Sequence, residues 1–317
     1  MTGEMSATPL RIATNTPWLD GHAPGGRAAE PVRLDELRGW RWPAACLAVW
    51  RYDAAFLNID ARSLLLLCAA KKLLPFARCR ILSADLVLTR RDPGIGGRLR
   101  FAVRRWLLRE VDRFVFYFRD TAELRRVYGI AAERVRYVPF KVNTHADVLR
   151  METADEGFFL SCGRSNRDFA TLCDAFRGTE ERCVVLAPWG QAEEHGTRAE
   201  AVDWPPNVER VADDGTPASW NRWIARARAV VLPIVPGMLS PSGISTLLVA
   251  MAMGKPVVIS ESAATRGVLD GSAAMIVPPA NAAALRADLL RELDDLLAAP
   301  RRGAARASSS VAPALPE

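Results

Sequence analysis

Two short stretches gather residues able to grip an anion. The first is Gly163-Arg164-Ser165-Asn166-Arg167-Asp168, directly after the apolar run FFLSC (158–162). Glycine permits a tight turn there, and two arginines flank the N–H groups that open the next helix. Arginine clamps phosphate oxygens bidentately, so a diphosphate suits this set. The alternative is a plain helix start, capped by Asn166 or Asp168, with solvated arginines. The second stretch is LSPSGIST (239–246), where Ser242, Gly243, Ser245 and Thr246 offer hydroxyls and free N–H groups at another helix start. Its alternative is an ordinary Ser/Thr-capped helix ended by Gly254 and Pro256, which explains Gly-Lys-Pro without a role for Lys255. A third position is Asp85, a carboxylate at the end of the strand-like run 80–84. It is the candidate general base, with a turn cap as the structural alternative.

These positions need elements to hold them. Strand-like runs at 10–14, 54–59, 80–84, 111–118 and 136–139 alternate with helix-like segments at 35–50, 61–74, 98–110 and 121–128. After a polar stretch, 142–156, the alternation resumes. Strands are expected at 158–162, 183–187, 208–211, 230–233, 256–260 and 275–277, and helices at 168–177, 218–228, 243–253 and 281–298. Such alternation specifies an α/β fold with parallel sheets covered on both faces. Ligands of open α/β sheets lie beyond the carboxyl ends of the strands, where all three candidates fall. The expected domains are 1–145 and 146–300, followed by an Ala/Ser/Pro/Arg-rich, disordered tail at 301–317.

Composition narrows the class. The 317 residues are 50% apolar and 25% charged, enough for two domains with cores of ordinary size. No apolar run approaches the roughly 20 residues that span a bilayer, and no secretory leader is recognisable. Cys46, Cys68, Cys79, Cys162, Cys173 and Cys183 include no C-x-x-C pair, and His22, His145 and His195 are widely separated. Reduced core cysteines, no metal site and a cytoplasmic setting are therefore expected. The net charge of +6 is uneven: Arg90, Arg91, Arg98, Arg100, Arg104, Arg105 and Arg109 face only Asp92 within 90–109. Interleaved Leu99, Phe101, Val103, Trp106, Leu107 and Leu108 make that segment amphipathic. It suits an anionic membrane surface, or else a solvated arginine face over a packed apolar one. No nucleic-acid-binding module is recognisable, so nucleic acid is not an expected partner.

FFLSCGRSNRDFATLCDAF (158–176), ARAVVLPI (227–234) and GISTLLVAMAMGKPVV (243–258), in that order, resemble the C-terminal domain of GT-B glycosyltransferases of the family 4-like group. YDAAFLN (52–58), the strand ending at Asp85 and VRYVPFKV (135–142) resemble the N-terminal domain less closely. The resemblance implies two Rossmann-like domains facing across a cleft, the N-terminal one short. The C-terminal domain would bind a nucleoside-diphosphate sugar, with Gly163, Arg164, Arg167, Ser242, Gly243, Ser245 and Thr246 around its diphosphate. Arg167 stands where the family usually has lysine. The N-terminal domain would bind a glycan, glycolipid or small-molecule acceptor, with retention of configuration and neither metal nor cofactor.

The chain also departs from the family. The two glutamates of the E-x7-E motif fall on Pro241 and Val249, and the family's His-Asp becomes Ala84-Asp85. Three readings follow from the resemblance and these departures. The first is a glycosyltransferase, cytoplasmic or peripheral at the inner membrane. The second is a non-catalytic protein of the same shape that binds a partner transferase or glycan. The third is nucleotide-sugar epimerisation, whose acidic and histidine residues are not apparent.

Overall fold

The structure is a computed structural model, and it describes residues 11–16, 50–74, 78–163, 165–187, 202–269 and 273–289. The expected helix at 35–50, Arg164 and the tail at 301–317 lie outside the described residues. The chain divides into two compact units: Met1–Phe140 with Leu239–Pro241, and Lys141–Met238 with Ser242–Glu317.

The first unit holds a parallel sheet of β1 (Ile12–Thr14), β2 (Ala54–Leu57), β3 (Arg80–Ala84), β4 (Val111–Phe116) and β5 (Val135–Tyr137), side by side in that order. Its helices are α1 (Ala61–Leu73), α2 (Gly94–Leu107) and α3 (Ala122–Tyr128). Asp60 starts α1 by accepting the N–H groups of Arg62 and Ser63 at 2.9 and 3.0 Å. The pairing of β3 with β4 skips Asp112. The Asp112 carboxylate instead accepts the Ile81 N–H at 2.8 Å and meets the Lys71 ammonium at 3.1 Å. This bulge fixes the register that carries Asp85 to the end of β3. Helix α2 starts four residues earlier than expected, because Pro93 leads into a short Gly-Ile-Gly-Gly turn.

The second unit carries helix α4 (His145–Arg150) and six parallel strands: β6 (Phe158–Cys162), β7 (Arg182–Ala187), β8 (Val208–Ala212), β9 (Ala229–Leu232), β10 (Val257–Ser260) and β11 (Met275–Val277). Its other helices are α5 (Phe169–Phe176), α6 (Pro217–Arg226), α7 (Ile244–Ala252) and a last described one at 282–289. Strands β6, β9 and β10 are buried throughout and lack any polar/apolar alternation, as strands covered on both faces must be. Phe158, Leu160 and Val230 pack on one face, and Phe159, Val231 and Val258 on the other. Helix α4 sits within the stretch read as polar, and Val148 anchors it in the core.

The strand order across this sheet is β11-β10-β9-β6-β7-β8. From β6 the chain runs outward through β7 to β8, then returns to β9 beside β6 and runs out the other way through β10 to β11. The order therefore reverses between β6 and β9, the kind of position at which open α/β sheets bind ligands.

Candidate functional site

The loop after β6 begins at this reversal, and the connection from β9 leads from it to Ser242 and Gly243 before α7. The loop after β6 turns at Gly163, whose φ is +122°. A β-carbon there would lie 2.0 Å from an Nη of Arg167, so both conformation and space demand glycine. The Arg167 side chain folds under this turn. Its Nε and Nη2 donate to the Cys162 carbonyl at 3.0 and 2.9 Å, and its Nη1 donates to the Ser165 carbonyl at 2.8 Å. Arg167 is only 3% exposed, and burial lowers its pKa to about 10. It remains a cation at neutral pH, and it holds the loop's own carbonyls.

Asn166 takes the left-handed conformation (φ 54°), which Asn tolerates better than most residues, and points its amide across to the second loop. Its Nδ2 donates to Ser242 Oγ at 2.8 Å. Main chain tightens the junction. The Asp168 N–H donates to the Pro233 carbonyl and the Val235 N–H to the Asn166 carbonyl, each at 3.0 Å. The Ile234 N–H reaches Ser260 Oγ at the end of β10 at 3.1 Å. Gly243 (φ +91°) precedes α7, and a β-carbon on it would stand 3.8 Å from Arg167 Nη1. Arg167, Asn166, Ser242 and Gly243 thus form one cluster. Arg164 lies outside the described residues.

The other expected residues divide by direction. Ser245 is exposed in the first turn of α7. Thr246 is buried and hydrogen-bonds the Cys162 thiol, tying α7 to β6. Asp168 caps α5, its carboxylate accepting from Thr171 N at 3.1 Å and from the Thr171 hydroxyl at 2.7 Å. The residue before α7 is Gly243, which has no side chain to cap it, and the positive end of the helix lies beside the cluster. Lys255 is structural: its ammonium takes the Ala154 and Ala227 carbonyls at 2.5 and 2.7 Å. Val249 packs within the apolar core.

In the first unit Asp85 ends β3 with φ 51° and donates its N–H to the Val115 carbonyl at 2.9 Å. Desolvation raises its carboxyl to about 6, within range of a general base near neutral pH. Sequence reasoning passed over Tyr117, one residue past the end of β4. Burial and the Asp85 charge raise its phenol, and its ring meets Phe140 edge-on at 5.0 Å. The available signal was a hydroxyl-bearing ring at the carboxyl end of the strand beside Asp85. The described cysteines Cys68, Cys79, Cys162, Cys173 and Cys183 are free and buried. Among the described residues no group of His, Cys, Asp and Glu could hold a metal ion, and no helix is long and apolar enough to cross a membrane.

Residues 158–295 match the family described as glycosyl transferases, group 1. No curated protein matches the sequence. Among solved structures, the lipopolysaccharide outer core galactosyltransferase WaaB in its apo form aligns at 16% identity and a TM-score of 0.54, covering 86% of this chain and 76% of that one. A UDP-forming α,α-trehalose-phosphate synthase from Burkholderia xenovorans, in complex with glucose-6-phosphate, aligns at 15% identity and 0.51, covering 83% and 73%. The trehalose-6-phosphate synthase OtsA aligns at 12% and 0.53, covering 82% and 71%. At these identities the likeness establishes the fold. The protein therefore has GT-B architecture, with two Rossmann-like α/β units. Its second unit is similar to the group 1 glycosyl transferases over the matched residues.

Proposed function

We propose that the protein transfers a sugar from a nucleoside-diphosphate donor to a glycan, glycolipid or small-molecule acceptor in cell-surface polysaccharide or related biosynthesis. The observation that carries this reading is the joining of the two anion loops at the strand-order reversal, through the 2.8 Å bond from Asn166 to Ser242. In this reading Arg164, Ser242, Ser245 and the N–H groups from Gly243 onward surround the donor diphosphate, and Thr246 fixes the helix that presents them. Arg167 adds its positive charge from beneath Gly163 while holding the turn. As the glycosidic bond breaks, negative charge grows on the leaving diphosphate, and fixed donors stabilise it without reorganising. That mechanism uses no metal or cofactor. Asp85 accepts the acceptor's proton, and retention of configuration requires the acceptor oxygen to bond to the anomeric carbon on the same face from which the diphosphate leaves. Transfer at a membrane face would suit a lipid-linked acceptor.

Val249 in the core and Pro241, at the two glutamate positions of the family, favour a second reading: a non-catalytic relative that binds a partner transferase or glycan. Calorimetry and thermal shift with UDP, GDP, dTDP, ADP and their sugars separate the two. The glycosyltransferase reading expects one nucleotide to bind and to stabilise by about 2.7 kcal/mol at a hundred times its Kd. Arg164→Ala should weaken it at least tenfold without altering the unliganded Tm. Absence of binding at millimolar nucleotide would favour the non-catalytic reading.

A further inference from the structure

Helix α2 of the first unit wears its apolar residues on the outside. Its packed side is Gly97, Phe101, Arg104 and Leu107. Gly97 and Leu107 are buried, Phe101 meets the Tyr128 ring at 5.1 Å, and Arg104 reaches Thr89 Oγ1 and the Tyr128 hydroxyl at 3.2 and 3.3 Å. On the opposite side stand Ile95, Leu99, Val103 and Trp106, which are 84, 67, 46 and 49% exposed. Their spacing of four, four and three residues draws one stripe along the helix. Single exposed apolar residues are ordinary, but a continuous stripe opposite a helix's own packing face marks an interaction surface. The amphipathic segment therefore does not place a solvated arginine face over a packed apolar one.

The flanks identify the partner. Arg98 and Arg105 border one side of the stripe and Arg100 the other, and Arg91 and Arg109 are exposed at its two ends. The nearby acids are engaged: Asp92 with Arg100 at 3.3 Å, and Glu110 with Lys72 at 2.6 Å. The Lys72 ammonium also sits 4.5 Å above the Trp106 ring, setting a cation beside the stripe's aromatic end. Pairing two copies of this chain through the stripe would set arginine rows beside arginine rows. An anionic lipid surface accepts the apolar stripe and the cations together, and tryptophan favours the headgroup boundary. The 14-residue helix is about 21 Å long, enough to lie in that boundary and too short to cross the bilayer.

We infer that α2 docks this protein on anionic lipid bilayers, with Ile95, Leu99, Val103 and Trp106 inserted among the acyl chains and the flanking arginines on the headgroups. The docking is independent of whether the second unit binds a nucleotide sugar. Flotation of the full chain with vesicles of phosphatidylcholine alone, or mixed equally with phosphatidylglycerol, tests it. Binding should require phosphatidylglycerol and weaken with added salt. Leu99→Ser with Val103→Ser should weaken it about tenfold or more through lost apolar burial. Arg98→Gln with Arg100→Gln should weaken it by a similar factor, and only for anionic vesicles. The changed side chains are exposed, so circular dichroism and Tm should match the wild type. Either of two results overturns the inference: no flotation, or equal flotation of the wild type and the Leu99/Val103 variant. So does a dimer, seen by sedimentation, that the Leu99/Val103 change dissolves while vesicles bind neither form.

Discussion

Gly163 and Arg167 are one device seen from two sides. The backbone at φ +122° suits glycine, and the guanidinium occupies the space a β-carbon would need. Gly163→Ala is expected to cost about 2–4 kcal/mol in urea unfolding, since strain and displacement of a buried cation add. Nucleotide affinity, measured by calorimetry, should fall with it. Asp85 offers a pH readout. Its carboxyl is raised from 3.8 to about 6, so in that window the folded chain holds a proton the unfolded chain has released. Stability supplied by this group is present below about pH 4 and is lost as pH rises through 6. Asp85→Asn should therefore remove a decline on the order of 2 kcal/mol between those limits, measured by unfolding at a series of pH values. If Asp85 is the base, the acidic limb of the rate profile near pH 6 should vanish with it.

Between β6 and β9 the elements meet through their ends. Asp168 both starts α5 and donates its N–H to Pro233, so the cap and the loop junction share a residue. Asp168→Ala is expected to cost about 1 kcal/mol, with a modest loss of nucleotide affinity because the loop loosens without losing a ligand. Helix α7 has the opposite design. Its cap position is Gly243, which has no side chain, while Thr246 and Leu247 bury its inner face. Val249 lies on that packed helix, so Val249→Glu, which would reinstate the family's residue type, is expected to destabilise the chain by about 2–4 kcal/mol in urea unfolding.

Each unit has its own sheet and buried core, so a ligand of the second unit should be felt first within it. Hydrogen exchange with a saturating nucleotide is expected to protect the segments around 158–170 and 242–250 more than the strands of the first unit. Uniform protection would argue against the proposed donor site. Much of this architecture was legible in the sequence. Strands β6 and β11 fall on the residues expected, because an unbroken apolar run between polar turns has few other ways to be buried. Asp168 was legible as a cap from its position before an apolar helical pattern. Helix α4 was not, because a single buried side chain, Val148, holds a segment whose composition is polar. The arginines of the first loop were legible as chemistry but not as geometry. Only the folded chain shows that Arg167 turns inward to Cys162 and Ser165, because those carbonyls converge where β6 ends. The stripe on α2 divides the same way. The sequence determined that the helix would be amphipathic, since periodicity is local. Tertiary structure alone decided which face met the core, because a helix with arginines and apolar residues on both flanks can be packed from either side until Tyr128 and Thr89 engage Arg104.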